Sequence, residues 1–183
     1  MDWELQFMRW ANGWWSSPLL DHLLPWLTHL GSHLAVIALL GLSLVLPRQR
    51  KAFPHLLSLY GIQLVVIYGL KFLVQRQRPL HFLPEIGSKL SFGPGEILDP
   101  SFPSAHSALG FMMAAFFSQR YPRYAIVFYI LAGFIAWSRL YLGLHYPTDI
   151  LAGVLLGYGI SKGLFYYLKR KGKEIYRSEN GPS

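Results

Sequence analysis

Apolar stretches recur along almost the whole chain, and they constrain its fold more than any other feature. They lie at residues 19–46, 53–74, 104–118, 124–137 and 147–168, separated by basic or Pro/Gly-rich breaks. A helix rises about 1.5 Å per residue, so roughly 20 residues cross a hydrocarbon core of about 30 Å. The pattern predicts an all-α fold, a polytopic transmembrane helical bundle with five spans as the simplest count and six as the alternative.

The charge content supports a membrane environment. Charged residues make up 14% of the 183 residues, well below the roughly 25% of soluble domains. The net charge of +8 comes mostly from basic residues at the ends of apolar runs, which favours membrane orientation over nucleic-acid binding. The chain contains no cysteine, so neither a disulfide nor a thiolate metal site is expected. We expect one membrane-embedded domain over residues 1–183.

The N-terminal segment, residues 1–30, is expected to lie at the membrane interface. It lacks the order of a cleaved signal peptide, because Asp2 and Glu4 come early and Trp14 and Trp15 come late. Its aromatic residues recur at helical spacing, which predicts an interfacial amphipathic helix, with a frayed terminus as the alternative. Residues 19–30 are too polar for a clean span, so the first crossing is placed near residues 32–46. Residues 178–183 are typical of a flexible tail.

Basic loop residues predict the orientation of the spans. Three regions rich in lysine and arginine alternate with the apolar stretches and should be cytoplasmic, the C-terminus included. The opposite loops, residues 75–102 and 139–146, then face outward. The three basic regions contain Arg48, Arg50 and Lys51, then Arg120 and Arg123, and finally Lys169, Arg170, Lys171, Lys173 and Arg177.

The outward end of the second span carries two cations, Lys71 and Arg78. Ionisable groups near membrane depth are costly and usually functional. Their spacing is about two helical turns, so on a continuous helix both would share one face and hold a phosphate between them. Pro79 is expected to stop that helix just after Arg78. The alternative is a pair of boundary cations that reach toward lipid headgroups.

The third span begins with a candidate anion site. Ser104 follows Pro103 and is predicted to cap the helix, whose first backbone N–H groups would face an anion. His106, in the first turn, is placed to donate a proton to a leaving oxygen. An ordinary capped helix with an interfacial histidine is the alternative.

The fourth and fifth spans meet at the most specific local pattern. Arg139 ends one span, and His145 is followed by Pro147, the predicted first residue of the next helix, and by Asp149. Asp149 is favoured by the helix dipole and is expected to accept the N–H of the His145 imidazole, which leaves the other ring nitrogen as a nucleophile. A structural cap beside an uninvolved histidine is the alternative. No HxxxH or HExxH pattern supplies His145 with a second histidine ligand at helical spacing, so a histidine metal site is disfavoured.

Together these residues resemble the motifs of the type 2 phosphatidic acid phosphatase family. That family has Lys, six residues and Arg-Pro, then Pro-Ser-Gly-His, then Ser-Arg, five residues, His, three residues and Asp. This chain has Lys71 to Pro79, Pro103 to His106, and Ser138, Arg139, His145 and Asp149. It departs at Ala105, where the family usually has glycine. Alanine keeps the backbone N–H, so the contact survives if the backbone there is helical.

The resemblance implies a role for each matching residue. It implies a phosphohistidine on His145, an orienting Asp149 and a general acid at His106, with no metal or other cofactor. The phosphate would be held by Lys71, Arg78, Ser104, the Ala105 backbone, Ser138 and Arg139.

The resemblance also implies a lipid phosphate or diphosphate as substrate, with a bacterial inner membrane as the expected location and the site facing the periplasm or exterior. Undecaprenyl diphosphate is the first expectation. The alternatives are phosphatidylglycerophosphate, phosphatidic acid or a lipid A phosphate, a phosphotransferase with another acceptor than water, and a non-catalytic protein that binds or transports anionic lipids. Binding alone would not need the His145, Asp149 and His106 group.

Overall fold

The computed structural model describes residues 2–83 and 99–172, and within those ranges the chain forms helices and no strand. Short 3-10 turns join several of the helices. The prediction of an all-α bundle is confirmed; the expected tail, residues 178–183, lies outside the described residues. In chain order the helices are α1 (Asp2–Trp15), α2 (Pro18–Thr28), α3 (His33–Val45), α4 (Phe53–Val74), α5 (Ala105–Arg120), α6 (Ala125–Tyr141) and α7 (Pro147–Arg170).

Three of these helices, α4, α6 and α7, are long and apolar enough to cross a membrane. A fourth crossing is formed if α2 and α3 count as one span, bent by 51° at residues 29–32. Ser32 produces the restart, because its extended backbone ends the preceding turn and its hydroxyl accepts the N–H of Ala35. Helix α5 has only 16 residues, fewer than the roughly 20 that cross a hydrocarbon core.

Helix α1 forms as the sequence predicts, and its two faces differ in their exposure. Trp3, Trp10 and Trp14 are exposed, whereas Glu4 and Met8 are buried against the bundle. Met8 packs in one cluster with Leu83, which follows α4 in the chain, with Leu140 of α6 and with Tyr146, which precedes α7. The helix is therefore attached to the end of the bundle that carries the motif residues.

Small residues bring α5 and α7 into close contact. Gly153, Gly157 and Ser161 follow one another at four-residue intervals along α7 and are all buried, a pattern that lets helix backbones approach closely. An added Cβ would lie 2.5 Å from the Ser104 carbonyl oxygen at Gly153 and 2.2 Å from the Ala108 carbonyl oxygen at Gly157. This contact fixes the N-terminus of α5 beside that of α7.

Helix α4 is joined to the same pair by a polar contact inside the bundle. The buried Gln63 amide donates to the carbonyl oxygens of Leu156, at 3.1 Å, and Gly157, at 3.4 Å. The C-terminal end of α4, which carries Lys71, is thereby held near the N-termini of α5 and α7.

Candidate active site

Lys71 and Arg78 come together, but not on one helix as the sequence pattern suggested. Helix α4 ends at Val74, and Gln75 adopts a left-handed conformation with φ 50°, a common way for a helix to stop. Arg78 is extended, and Pro79 begins a 3-10 turn rather than ending a helix. Residues 76–78 leave the helix because Arg76 is held elsewhere, as described below.

The two cations converge on a carboxylate. Asp99 Oδ2 lies 2.8 Å from Lys71 Nζ and 3.5 Å from Arg78 Nη2. Lys71 also donates to the Pro100 carbonyl, and Arg78 Nε donates to the Asp99 carbonyl at 2.8 Å. Both cations are almost fully buried, whereas the Asp99 side chain is 36% exposed. An anion at this position is therefore held by two cations and open on one side.

The N-terminus of α5 lies next to this cation pair and is built as the sequence predicted. Ser104 is the N-cap, and its hydroxyl accepts the backbone N–H of Ser107 at 3.3 Å and the Ser107 hydroxyl at 2.9 Å. Ala105 is the first helical residue, so its backbone does not need the positive φ that glycine allows. The Ala105 N–H is one of the donors that a helix start leaves for an anion.

His106 follows in the first turn of α5 and is partly buried. It is within electrostatic range of Arg139, His145, His33 and Arg78. An added Cβ at Gly31 would lie 2.9 Å from the His106 carbonyl oxygen, so the turn between α2 and α3 packs directly against it. His106 thus lies between the cations and the start of α3.

Arg139 and Ser138 occupy the last turn of α6, and both are buried. The Arg139 guanidinium donates to Thr28 Oγ1 at 3.0 Å, and its carbonyl accepts the N–H groups of Leu144 and His145. The Ser138 hydroxyl donates to the Ile135 carbonyl at 2.6 Å within its own helix. The turn after α6 passes through Gly143, with φ 70°, and returns His145 to the site.

The contacts of His145 define its tautomer. Its Nδ1 lies 2.7 Å from the Ser101 carbonyl oxygen, which can only accept, so Nδ1 carries the hydrogen. Its Nε2 lies 3.2 Å from Arg78 Nη1, which can only donate, so Nε2 holds a lone pair. That lone pair faces the cations that bind the Asp99 carboxylate.

The surroundings of His145 also keep the ring neutral. Burial lowers the pKa of His145 well below its ordinary value, and the positive charges of Arg78, Arg139 and Lys71 lower that pKa further. The hydrogen bond to Ser101 acts in the opposite direction. The imidazole is therefore unprotonated at Nε2 at neutral pH, as a nucleophile must be.

Asp149 does not make the direct hydrogen bond to His145 that the sequence suggested. Its Oδ2 lies 3.7 Å from Nδ1 of His145, beyond hydrogen-bond distance. The same oxygen accepts the Tyr146 N–H at 2.9 Å and the Ser101 hydroxyl. Because the Ser101 carbonyl accepts from His145, Asp149 is linked to the imidazole through Ser101. Pro147 does begin α7, as predicted, with Asp149 in its first turn.

A second ion-pair network holds Asp149 from the other side. Arg76 Nη1 donates to Asp149 Oδ1 at 2.7 Å and to Thr148 Oγ1 at 2.8 Å, while its Nη2 donates to Glu4. Glu4 also accepts the Thr148 hydroxyl at 2.7 Å. The Arg76 guanidinium lies 3.8 Å from the centroid of the Tyr146 ring. Helix α1 is thus joined through Glu4 to the network that holds Asp149.

Sequence reasoning did not identify Glu4, Arg76, Asp99 or Ser101 as site residues. Glu4 and Arg76 are 72 positions apart, and no spacing rule connects such residues. One signal was present for Glu4, since a carboxylate on a helix rich in tryptophan needs a partner where it is buried. In residues 2–83 and 99–172, no three His, Asp or Glu side chains are grouped so as to hold a metal ion.

Comparison with known proteins identifies a family that matches most of the chain. Residues 52–173 match the model of the PAP2 superfamily, and this range contains every motif residue named above. The chain spans about a third of the length of the curated lipid A phosphatases that it matches, from Bacteroides thetaiotaomicron and two Rhizobium species.

Other relatives match over a greater length. Phosphatidylglycerophosphatase B of Bacillus subtilis is 31% identical over 170 residues, covering 84% of this chain and 79% of the relative. The putative undecaprenyl-diphosphatase YbjG of Escherichia coli is 32% identical over 142 residues, covering 73% of this chain and 69% of the relative.

A solved structure shares the fold. The crystal structure of LpxE from Aquifex aeolicus superposes with a TM-score of 0.74 at 25% identity, covering 89% of this chain and 94% of the other. The family match, the relatives and the shared helical bundle agree with the motif geometry, and the chain belongs to the PAP2 superfamily.

Proposed function

We propose that this protein is an integral membrane phosphatase that hydrolyses a lipid phosphate or diphosphate through a phosphohistidine on His145. The observation that carries the proposal is the His145 tautomer: Nδ1–H donates to Ser101, and the Nε2 lone pair faces Arg78. A buried neutral imidazole aimed at a cluster of cations suits nucleophilic attack on a phosphoryl group.

In the first step the Nε2 lone pair forms a bond to phosphorus, and the bond from phosphorus to the lipid oxygen breaks. Lys71, Arg78 and Arg139 neutralise the phosphoryl oxygens, with donors from Ser104, the Ala105 backbone and the Ser138 backbone. The electron pair of the broken bond stays on the lipid oxygen, which takes a proton from His106. Asp99 occupies the anion position between Lys71 and Arg78 and must release them for the phosphate.

In the second step a water oxygen attacks phosphorus and gives a proton to His106, which is now neutral. The bond from phosphorus to Nε2 breaks, its electron pair returns to the imidazole, and inorganic phosphate leaves. Asp149, acting through Ser101, keeps Nδ1 protonated in both steps.

An apolar cavity supports a substrate with a hydrocarbon chain. It has a volume of about 370 Å³ and lies between α3, α5 and α6. Leu30 and Ile135 line one end, and Ile135 also lies within 2.5 Å of where a Gly31 side chain would begin, beside His106. The cavity therefore extends into the bundle from the leaving-group side of the proposed site.

Undecaprenyl diphosphate is our first candidate substrate, because the connections that the structure describes between α1 and α4 and between α5 and α7 are short turns, which suits a slim isoprenoid diphosphate better than a larger headgroup. Relatives named for undecaprenyl diphosphate, phosphatidylglycerophosphate and lipid A keep the other lipid phosphates as alternatives. A phosphotransferase with a different acceptor shares every residue of the mechanism.

The proposed topology has five spans, formed by the bent α2–α3 pair and by α4, α5, α6 and α7, in a bacterial inner membrane. Helix α5 is included because its 16 residues, about 24 Å long, nearly cross the hydrocarbon core. The positive-inside rule puts the C-terminus in the cytoplasm and the site on the periplasmic or outer face.

Phosphate release by the purified protein in detergent tests the proposal. We expect kcat/KM to be highest for a long-chain prenyl diphosphate, lower for a diacyl lipid phosphate and lowest for a soluble phosphate monoester. Excess EDTA should leave the rates unchanged, because cations of the chain itself are proposed to neutralise the phosphate, and vanadate should inhibit. Equal hydrolysis of the soluble ester would contradict a lipid substrate, and release of no phosphate would favour the binding or transport alternative.

A further inference from the structure

A hydrogen-bonded group that the proposed chemistry does not use lies between α3 and α4. His33 is the first residue of α3, and its Nδ1 lies 3.0 Å from the Tyr60 hydroxyl while its Nε2 lies 3.1 Å from the Tyr68 hydroxyl. Both rings pack against the imidazole, with centroid distances of 5.9 and 5.8 Å. A histidine that only connected two helices would not need a second tyrosine that is 45% exposed, as Tyr68 is.

The hydrogen bonds of this group have a preferred direction. A neutral imidazole donates from one nitrogen and accepts at the other, so one of the two hydroxyl hydrogens is left over. Tyr60 lies two turns deeper along α4 than Tyr68, where an unsatisfied donor is costlier. We therefore assign Tyr60 O–H to Nδ1 and Nε2–H to the Tyr68 oxygen. The Tyr68 hydroxyl hydrogen then remains for a ligand.

Tyr68 lies on the membrane side of the proposed phosphate position. It precedes Lys71 by three residues, about 4.5 Å along the helix axis, so the two side chains are neighbours on one helix face. The Asp99 carboxylate that pairs with Lys71 is within electrostatic range of Tyr68 and His33. His33 is also within electrostatic range of His106, the proposed proton donor to the leaving oxygen. The group is therefore next to the proposed position of the leaving oxygen, on the α4 side of α3.

We propose that Tyr68, positioned by His33, binds the phosphate that stays on the lipid when a lipid diphosphate is cleaved. This inference rests on the proposed function and deepens it, since it makes the substrate class a diphosphate. The transferred phosphoryl group is held by Lys71 and Arg78, and the second phosphate lies one turn deeper, where Tyr68 O–H donates to one of its oxygens. A lipid monophosphate has no group at that position and makes no use of the donor.

The test compares a prenyl diphosphate with the prenyl monophosphate of the same chain length, using the full-length protein in detergent. Tyr68→Phe should lower kcat/KM for the diphosphate about tenfold, the usual order for one hydrogen bond to a charged group, and change the monophosphate value less than about twofold. His33→Ala should shift the ratio of the two kcat/KM values in the same direction, and adding it to Tyr68→Phe should cause little further loss. Tyr166→Phe, an exposed tyrosine of α7 remote from the site, is the matched control and should leave both values unchanged.

The outcomes separate this subsite from the function on which it rests. If the wild-type protein hydrolyses both substrates and Tyr68→Phe lowers both values equally, or neither, the subsite is overturned while the phosphatase stands. If the wild-type protein hydrolyses neither substrate, the proposed function fails and the subsite with it. Tyr68→Phe removes one oxygen from a partly exposed side chain, so misfolding is not expected to obscure the result.

Discussion

His145 is the residue whose protonation decides whether the site can react. Nδ1 of its ring donates to the Ser101 carbonyl, and Nε2 faces an arginine. The Asp99 carboxylate occupies the position between Lys71 and Arg78, and a phosphate that replaces it is neutralised by the same two cations. A protonated His145 would add a further positive charge beside these cations, so the neutral ring is the form that the site favours.

The first prediction concerns pH. Burial and then Arg78 lower the pKa of His145, and the neutral form is the nucleophile, so activity is lost only as pH falls through the lowered pKa. The acid limb of kcat/KM should therefore lie below the ordinary histidine value of about 6.5. Arg78→Gln should move that limb upward, besides lowering the rate, while Arg123→Gln, in the turn before α6, should not. An acid limb unmoved by Arg78→Gln would show that another group titrates.

The second prediction separates two ways in which Asp149 can act. Ser101→Ala removes the hydroxyl that Asp149 accepts but keeps the carbonyl that orients His145. We expect kcat to fall about tenfold with KM little changed, and Asp149→Asn to cause little further loss in that variant, since the residues act as one unit. Ser118→Ala, whose hydroxyl bonds within α5, is the control. Full activity in Ser101→Ala beside a large loss in Asp149→Asn would mean that Asp149 acts on His145 directly.

The motif residues could be predicted because each lies within a short, recognisable spacing. Lys71, Arg78 and His145 meet beside the Asp99 carboxylate, whereas their roles and their side of the membrane stay predictions. Ser101 could not be found in this way, because it contributes a backbone carbonyl and any residue type supplies one. Glu4 and Arg76 meet only through the packing of α1 on the bundle, which no local pattern encodes.

At the scale of helices, the approach of α5 to α7 sets the position of the phosphate donors. Gly157→Ala would put a Cβ 2.2 Å from the Ala108 carbonyl oxygen, and backbone cannot yield as a flexible side chain does. The third prediction is that this variant unfolds at a lower temperature in detergent, by a destabilisation of about 1–3 kcal/mol, and loses activity as Ser104 and His106 shift. Gly159→Ala, with nothing within 4 Å of the added atom, should do neither. Equal behaviour of the two variants would show that the α5–α7 contact is looser than described.

The helices themselves follow the apolar pattern closely, and the deviations have local causes. The sequence placed a break before residue 32, and the structure has it as a bend of 51°. The sequence predicted that α4 continues to Arg78, whereas the helix ends at Val74. Hydropathy cannot show that Gln75 adopts a left-handed conformation or that Arg76 binds Glu4 and Asp149.

For the whole molecule, orientation in the membrane decides which lipids reach the site. The chain has no cysteine, so single cysteines can be introduced without background. The fourth prediction is that a cysteine at His81, exposed beside the site, reacts with an impermeant thiol reagent in intact cells, and that one at Arg123, exposed at the opposite end of α6, does not. The reverse pattern would put the site in the cytoplasm and exclude lipids presented only to the outer leaflet.

The central claim is that His145 carries the phosphoryl group during turnover. The most direct measurement is mass spectrometry of the protein quenched at alkaline pH while it hydrolyses a prenyl diphosphate, with His145→Ala treated in parallel. We predict one added phosphoryl group on the peptide that contains His145 in the wild-type protein, and neither that group nor released phosphate in His145→Ala. Full phosphate release by His145→Ala, or a phosphoryl group on a different residue, would contradict the account.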